Sequence, residues 1–274
     1  MEDGDWAGHY DPAHLARRWL TGKGHYGFGV IDLHTHVLPG IDDGARSLDD
    51  SRELALEAAA EGISVLAATP HVRDDYPTTP EVMEQAVAEL RADFADQGIP
   101  VEVVHGAEVD LSLLWAIPPV DLRRLTIAQT GRYLLLEFPY RRWPIALETS
   151  VKRLVGLGVT PLLAHPERNP EVQDRPDRVR GLIAAGALVQ VTAASLEGAR
   201  DRAAQAAALR LLELGLVHVL ASDSHGPHIR REGLGAVARG IGDPALARYL
   251  TVEVPGAILA GLPVPERGQV GLGA

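Results

Sequence analysis

The chain of 274 residues contains no cysteine. That absence excludes disulfides, zinc ribbons, iron–sulfur clusters and any thiolate nucleophile, so a cofactor here must be held by oxygen and nitrogen. No apolar run approaches membrane-spanning length, and residues 1–29 lack the apolar core of a signal peptide, so a soluble cytoplasmic protein without membrane insertion is expected. Positive charge is also short. With 26 Lys and Arg against 37 Asp and Glu, the net charge of −11 counts against nonspecific binding to nucleic acid or to an anionic membrane. There is no internal repeat or low-complexity tract. Gly22, Gly24, Gly27 and Gly29 precede no helix start at the offset that a dinucleotide or phosphate loop requires.

What the chain does have is a set of apolar segments that end in side chains able to bind metal. In Val30-Ile31-Asp32-Leu33-His34-Thr35-His36 the apolar residues mark a buried strand, and histidines two apart point to one side of extended chain. Neutral imidazole is a common ligand for divalent transition metals, although one H-x-H is weak evidence alone. The pattern then recurs. Ile63 to Ala68 leads to His71; Val101 to Val104 leads to Glu108; Tyr133 to Leu136 leads to Glu137; Val159 to Ala164 leads to His165; Val217 to Ala221 leads to Asp223 and His225.

Helical spacing fills the gaps. Ser47 to Glu61, opened by Ser47, Asp49 and Asp50 and closed by Gly62, reads as a capped amphipathic helix, and further helices are predicted over 80–97, 144–157, 176–185 and 197–214. Strands alternating with helices imply parallel pairing and right-handed crossovers. In a TIM-barrel-like α/β fold the C-terminal strand ends converge on one face, so residues spread over nearly two hundred positions could share a pocket. The length suits one barrel domain, and 46% hydrophobic residues can fill its core. Three zones follow: an N-terminal extension at 1–29, a catalytic domain at 30–262 and a fraying tail at 263–274. In the extension, Asp11-Pro12 opens a short helix over Ala13 to Leu20, and His9, His14 and His25 are not expected to bind metal.

The ordered motifs Ile31-Asp32-Leu33-His34-Thr35-His36 with Asp42-Asp43-Gly44, Thr69-Pro70-His71, Gly106-Ala107-Glu108, Leu136-Glu137-Phe138, Ala164-His165-Pro166-Glu167-Arg168 and Ser222-Asp223-Ser224-His225 resemble the PHP (polymerase and histidinol phosphatase) superfamily. More narrowly, they resemble the manganese-dependent bacterial protein-tyrosine phosphatases of capsule and exopolysaccharide clusters, the CpsB/CapC type. The resemblance implies a distorted (β/α)7 barrel with a trinuclear metal centre. Carried over, His34, His36 and Asp223 hold the first metal, Glu108 bridges it to a second held also by Glu137 and His165, and Asp43, His71 and His225 hold a third. Five imidazoles and four carboxylates suit Mn²⁺, with Fe or Zn²⁺ possible and Mg²⁺ a poorer fit to so much nitrogen. The resemblance points to manganese.

The same resemblance gives Arg168 and Arg230 to the phosphate, where a guanidinium fork matches a tetrahedral oxyanion. It implies a metal-activated hydroxide attacking phosphorus in line, with a phosphotyrosine leaving group of pKa near about 10 that asks little of a general acid. The expected substrate is the phosphotyrosine tail of an exopolysaccharide or capsule tyrosine kinase. The alternatives are a small-molecule phosphoesterase, such as one acting on histidinol phosphate, and a noncatalytic PHP binding module. Asp43 and Glu137 favour the first, because other PHP branches often carry histidine there. Spacing does not separate Asp42 from Asp43 as a ligand. His105 and His218 read as core or supporting histidines, His228 as rim or support, Asp32 as a brace beneath the site, Glu167 as a support beside His165, and Val72 to Thr79 as a loop shaping the rim. The sequence leaves the oligomeric state and the general acid open.

Overall fold

A computed structural model describes residues 29–198, 201–227 and 233–267. The predicted helix at Ala13 to Leu20, the histidines His9, His14, His25 and His228, Arg230 and the last seven residues lie outside the described part.

Strand β1 (Val30–Thr35) is followed by α1 (Leu48–Ala60), β2 (Ile63–Ala68), β3 (His71–Arg73), β4 (Tyr76–Pro77), α2 (Pro80–Gln97), β5 (Glu102–His105) and β6 (Glu108–Asp110). Then come α3 (Pro119–Arg124), β7 (Tyr133–Glu137), α4 (Leu147–Gly156), β8 (Thr160–Leu163), α5 (Pro170–Asp174), α6 (Arg180–Ala184), β9 (Leu188–Thr192), α7 (Ala193–Glu197), α8 (Arg202–Glu213) and β10 (Val219–Ala221), with α9 (Leu234–Gly240), α10 (Pro244–Arg248) and α11 (Val254–Leu259) closing the described chain. Capping chemistry sets several of these ends. The Ser47 side chain accepts from the Asp50 N–H at the start of α1, and Gly62, at φ +88°, carries the chain from that helix into β2. Thr79 caps α2, whose Pro80 stands where the first helical turn needs no N–H, and the helix spans the predicted 80–97.

The helix predicted over 197–214 begins later, at Arg202, and residue 197 is the last of a separate short helix, α7. Gly198, at φ +72°, ends α7, and Asp201 restarts the chain as the cap of α8 by accepting from the Ala203 N–H. The segment 176–185 is a tighter turn over Pro176–Val179 followed by the short α6. Apolar spacing runs through such breaks, whereas caps do not.

The strands form an α/β fold, but not one continuous hydrogen-bonded barrel. The first sheet has the order β1-β2-β5 and the second β10-β9-β8-β7-β6-β3-β4, and every pair is parallel except the small β3–β4 hairpin. The chain passes from the first sheet to the second twice, between β2 and β3 at Thr69-Pro70 and, after returning through α2 to β5, between β5 and β6 at Gly106-Ala107. Each crossing delivers a ligand-type residue, His71 after the first and Glu108 after the second. Gly106 is needed there, because a Cβ would lie 2.9 Å from Thr69 Cγ2 and 3.4 Å from the Ala68 carbonyl. At the strand ends single bonds tie β10 of the second sheet to β1 of the first: the Asp223 N–H donates to the His34 carbonyl (2.9 Å) and the His36 N–H to that of Ser224 (2.9 Å). The expected loop Val72 to Thr79 is thus partly the β3–β4 hairpin.

Aliphatic strand residues such as Ile31, Leu33, Leu66, Val104, Leu134, Leu162 and Val219 are buried beneath the helices, in one core. No helix among the described residues is long and apolar enough to cross a membrane.

Candidate metal centre

At the C-terminal strand ends all nine of the expected ligand residues come together. Their donor atoms fall into four groups, each within 4.8 Å: His36, Asp43, His71 and His225; His34, His36 and Glu108; His34, His165 and Asp223; and His71, Glu108 and Glu137. Glu108 sits at the middle, with Oε2 3.3 Å from His34 Nε2 and 3.0 Å from His71 Nδ1, and Oε1 2.9 Å from His165 Nε2. His34 Nε2 and His36 Nε2 are 3.2 and 3.3 Å from Asp223 Oδ1. Asp43 Oδ1 lies 3.4 Å from both His71 Nε2 and His225 Nε2. The grouping differs in detail from the division implied by resemblance, since His165 clusters with His34 and Asp223 as well as touching Glu108, and His71 faces two groups.

Local backbone prepares these positions. His165 and Asp223 hold positive φ, +32° and +53°, a conformation that side chains other than glycine seldom adopt and that surrounding structure must enforce. Gly44 lies against the back of His36, where a Cβ would come within 2.2 Å of the His36 carbonyl oxygen. Supporting contacts orient the imidazoles. His36 Nδ1 donates to Asp42 Oδ2 (2.6 Å), which also accepts from the His71 N–H, while Asp42 Oδ1 accepts from Gly44 N–H. Asp42 is therefore turned to the back of His36, and the partly exposed Asp43 faces the centre. The ambiguity of the Asp42-Asp43 pair is a matter of which carboxylate the turn directs inward.

Asp32 braces from below, accepting from the Ser222 N–H (3.0 Å) and the His34 N–H (3.3 Å). Glu167 is a support, with Oε1 accepting from both the Thr192 N–H and hydroxyl at 3.0 Å. Sequence reading missed Gln190, whose Oε1 accepts from His34 Nδ1 and from the His165 N–H, both at 3.2 Å. The available signal was one amide at the centre of the apolar run Leu188-Val189-Gln190-Val191. Tyr140 was missed as well. Its ring stacks on that of His165 at 5.6 Å and 16°, and its hydroxyl engages Glu137 and Arg168. Tyr76 stacks on His71 at 6.0 Å, and Arg73 lies 5.0 Å over that tyrosine. Arg168 is nearly buried, with Nη2 2.6 Å from Asp223 Oδ2 and Nε left without a hydrogen-bond partner.

The electrostatics suit a cation centre. Burial opposes charge at His34 and His36, yet the carboxylates of Glu108, Asp223 and Asp42 outweigh it and raise both imidazoles. Burial also penalises the Glu108 and Asp223 anions, but the neighbouring histidines, and Arg168 for Asp223, hold both carboxyls well below their usual range. Burial and the Glu108 charge push Glu137 up. Pairing with His36 overcomes burial and brings Asp42 down to about 2. Glu108 Oε2, Glu137 Oε1, Asp223 Oδ1 and His71 Nδ1 are buried with no hydrogen-bond partner. Buried polar atoms usually have one, and four unpartnered ligand atoms converging on shared space fit divalent cations.

His105 and His218, the described histidines outside the site, behave as core residues. The His218 ring accepts the Val189 N–H at 3.2 Å, and burial lowers both His218 and His105 to about 4. Between about pH 6.5 and 4 the unfolded chain takes up a proton that folded His218 refuses, so its stability contribution is full above that window and is lost on acidification. Urea titrations of wild type and His218→Gln are expected to differ in slope. On going from pH 7 to 4.5 the wild type should lose about 2 kcal/mol more than the variant. Equal losses would mean that His218 titrates normally.

An α/β fold with His, Asp and Glu gathered at its strand ends defines a metal-dependent hydrolase type of site. The sequence model for the family described as capsular polysaccharide synthesis, CpsB/CapC, matches residues 30–258, and the chain belongs to that family. It is 35% identical over 204 residues to the tyrosine-protein phosphatase YwqE of Bacillus subtilis, covering 73% of this chain and 79% of that one. It is 28% identical over 243 residues to the tyrosine-protein phosphatase CpsB of Streptococcus pneumoniae, covering 84% and 98%. Among solved structures it is similar, with a TM-score of 0.74 and 30% identity over 86% of this chain and 96% of the other, to one from the work on YwqE and CpsB described as unique metal-dependent tyrosine phosphatases.

Proposed function

We propose that this protein is a metal-dependent phosphomonoesterase that removes phosphate from phosphotyrosine in a protein, the substrate being the tyrosine-rich tail of a capsule or exopolysaccharide tyrosine kinase in the cytoplasm. The observation that carries this reading is the gathering of nine ligand-type side chains into four overlapping groups, several with buried donor atoms lacking any partner.

The proposed centre holds three divalent ions, manganese by preference. His34, His36 and Asp223 would hold one, Glu108 would link it to a second kept by Glu137 and His165, and Asp43, His71 and His225 would hold the third. The proposed framework is the distorted seven-stranded barrel of the PHP type. When bound, the ions supply positive charge to the phosphoryl oxygens and make water nucleophilic near neutral pH.

The chain's own residues orient and select. Asp42 and Gln190 fix the rings of His36 and His34 so that Nε2 of each faces the centre. Arg168, with Nε unpartnered, offers an N–H to a phosphoryl oxygen, and Arg230 is proposed as the second such donor. A phenolate is a weaker base than an alkoxide, so the departing tyrosine needs little help from an acid.

The test strips metal with a chelator and restores Mn²⁺, Fe²⁺ or Zn²⁺ separately, measuring phosphate release from a phosphotyrosine peptide and from histidinol phosphate. Activity is expected to vanish on stripping, to return best with Mn²⁺, and to favour the peptide at least about tenfold in kcat/KM, a gap of about 1.4 kcal/mol in transition-state binding. Preference for histidinol phosphate would move the chain to the small-molecule branch.

A further inference from the structure

The connection from β7 to α4, residues 138–146, leaves the centre directly after Glu137 and is held from within. The Asn169 amide donates to the carbonyls of Pro139 (2.8 Å) and Arg142 (3.3 Å), and the Trp143 N–H donates to Glu171 Oε1 (2.8 Å). Trp143 packs edge-on against Phe138 at 6.0 Å, and Arg178 covers it at 4.5 Å. With its backbone and indole pinned, the loop presents four side chains outward. Tyr140 is 41% exposed, its ring lying on His165; Arg141 and Arg142 are exposed; and Ile145 is fully exposed. Neither of these guanidinium groups makes an ion pair with a described residue. Two arginines without an ion pair to a described residue and a bare isoleucine, on the loop that starts directly after Glu137, stand out in a chain of net charge −11.

We propose that this loop is the docking surface for the substrate peptide, and that it takes a phosphotyrosine flanked by acidic residues, with the aryl ring along Tyr140 and an apolar neighbour against Ile145. The inference rests on the phosphatase reading and adds to it the chemistry of the peptide. A pinned loop has little ordering entropy to lose on binding. Exposed guanidinium groups offer forks to carboxylates, and they concentrate an acidic peptide at the mouth of a site that the remaining negative charge would otherwise repel. Tyr140, whose hydroxyl reaches Glu137 and Arg168, joins this surface to the phosphate position.

The experiment uses the full chain loaded with Mn²⁺ and three substrates: a phosphotyrosine peptide with aspartates on both sides, the same peptide with lysines instead, and phenyl phosphate. Wild type is expected to favour the acidic peptide over the basic one by about tenfold in kcat/KM, mainly through KM, and the preference should shrink with added salt. In the double variant Arg141→Glu, Arg142→Glu the acidic-to-basic ratio is expected to fall below one, and the ratio of acidic peptide to phenyl phosphate to fall about tenfold. Unchanged ratios, or a wild-type preference for lysine flanks, would overturn the docking assignment. Hydrolysis of none of the three by the loaded wild type would instead remove the phosphatase reading, and the docking surface with it.

Discussion

Replacing Glu108 with Gln is expected to lower phosphate release from a phosphotyrosine peptide on the order of a thousandfold, corresponding to several kcal/mol of lost charge stabilisation. Gln keeps the size and one carbonyl oxygen but not the anion, and Glu108 is the residue that three imidazoles approach within 3.3 Å. Its charge helps raise the proton affinity of His34 and His36 in the metal-free protein. Ion binding must displace protons from such imidazoles, so metal affinity should strengthen with rising pH in the wild type. In the variant those histidines lose their central counter-charge, and metal content measured on the purified protein should drop together with activity. A Glu108→Gln protein that keeps full metal content and near-normal turnover would remove Glu108 from the centre.

A contrast between two adjacent carboxylates has the next largest expected effect. Asp42→Ala leaves the His36 Nδ1–H and the N–H groups of His71 and Gly44 without their acceptor in a buried place. Stability should fall by about 3 kcal/mol, since breaking one side of a buried charged pair strands the other. Metal affinity should fall about 10- to 100-fold, because the ring of His36 is no longer held in place. Asp43→Ala removes a half-exposed carboxylate that faces His71 and His225. Its expected outcome is different: little change in urea midpoint, but loss of bound metal and activity. Urea titration and metal analysis of both proteins check the assignment. If Asp42→Ala were the stable one, support and ligand would have to be exchanged.

Much of this site was legible because chemistry and position coincide along the chain. Each ligand-type residue except Asp43 lies in or just after an apolar segment, and parallel α/β strands bring their C-terminal ends to one face. The capped helices α1 and α2 lay in the sequence for a similar reason: Ser47, Thr79-Pro80 and Gly62 act on backbone groups within their own turn. The prediction at 197–214 placed the helix start too early because Gly198 and Asp201 break a helix without disturbing the apolar spacing around them. The hairpin at β3–β4 was hidden because two- and three-residue strands carry too little alternation to register.

The sequence by itself supplied the candidate ligand residues, through its apolar segments and its family resemblance together, gave their order along the chain and excluded thiolate chemistry, since these depend on residue type and short-range spacing. Only the tertiary structure decided that Asp42 turns behind His36 while Asp43 turns inward, that Gln190 and Tyr140 belong to the site, and that Arg168 lies against Asp223. It also decided how the strands close. β1, β2 and β5 form a sheet apart from the seven-stranded one, tied to it by single bonds at the strand ends. Apart from Asp42 with His36, six positions away, those outcomes rest on contacts between residues tens to nearly two hundred positions apart, such as Asp32 with Ser222, and no local propensity encodes which pair of distant groups will meet.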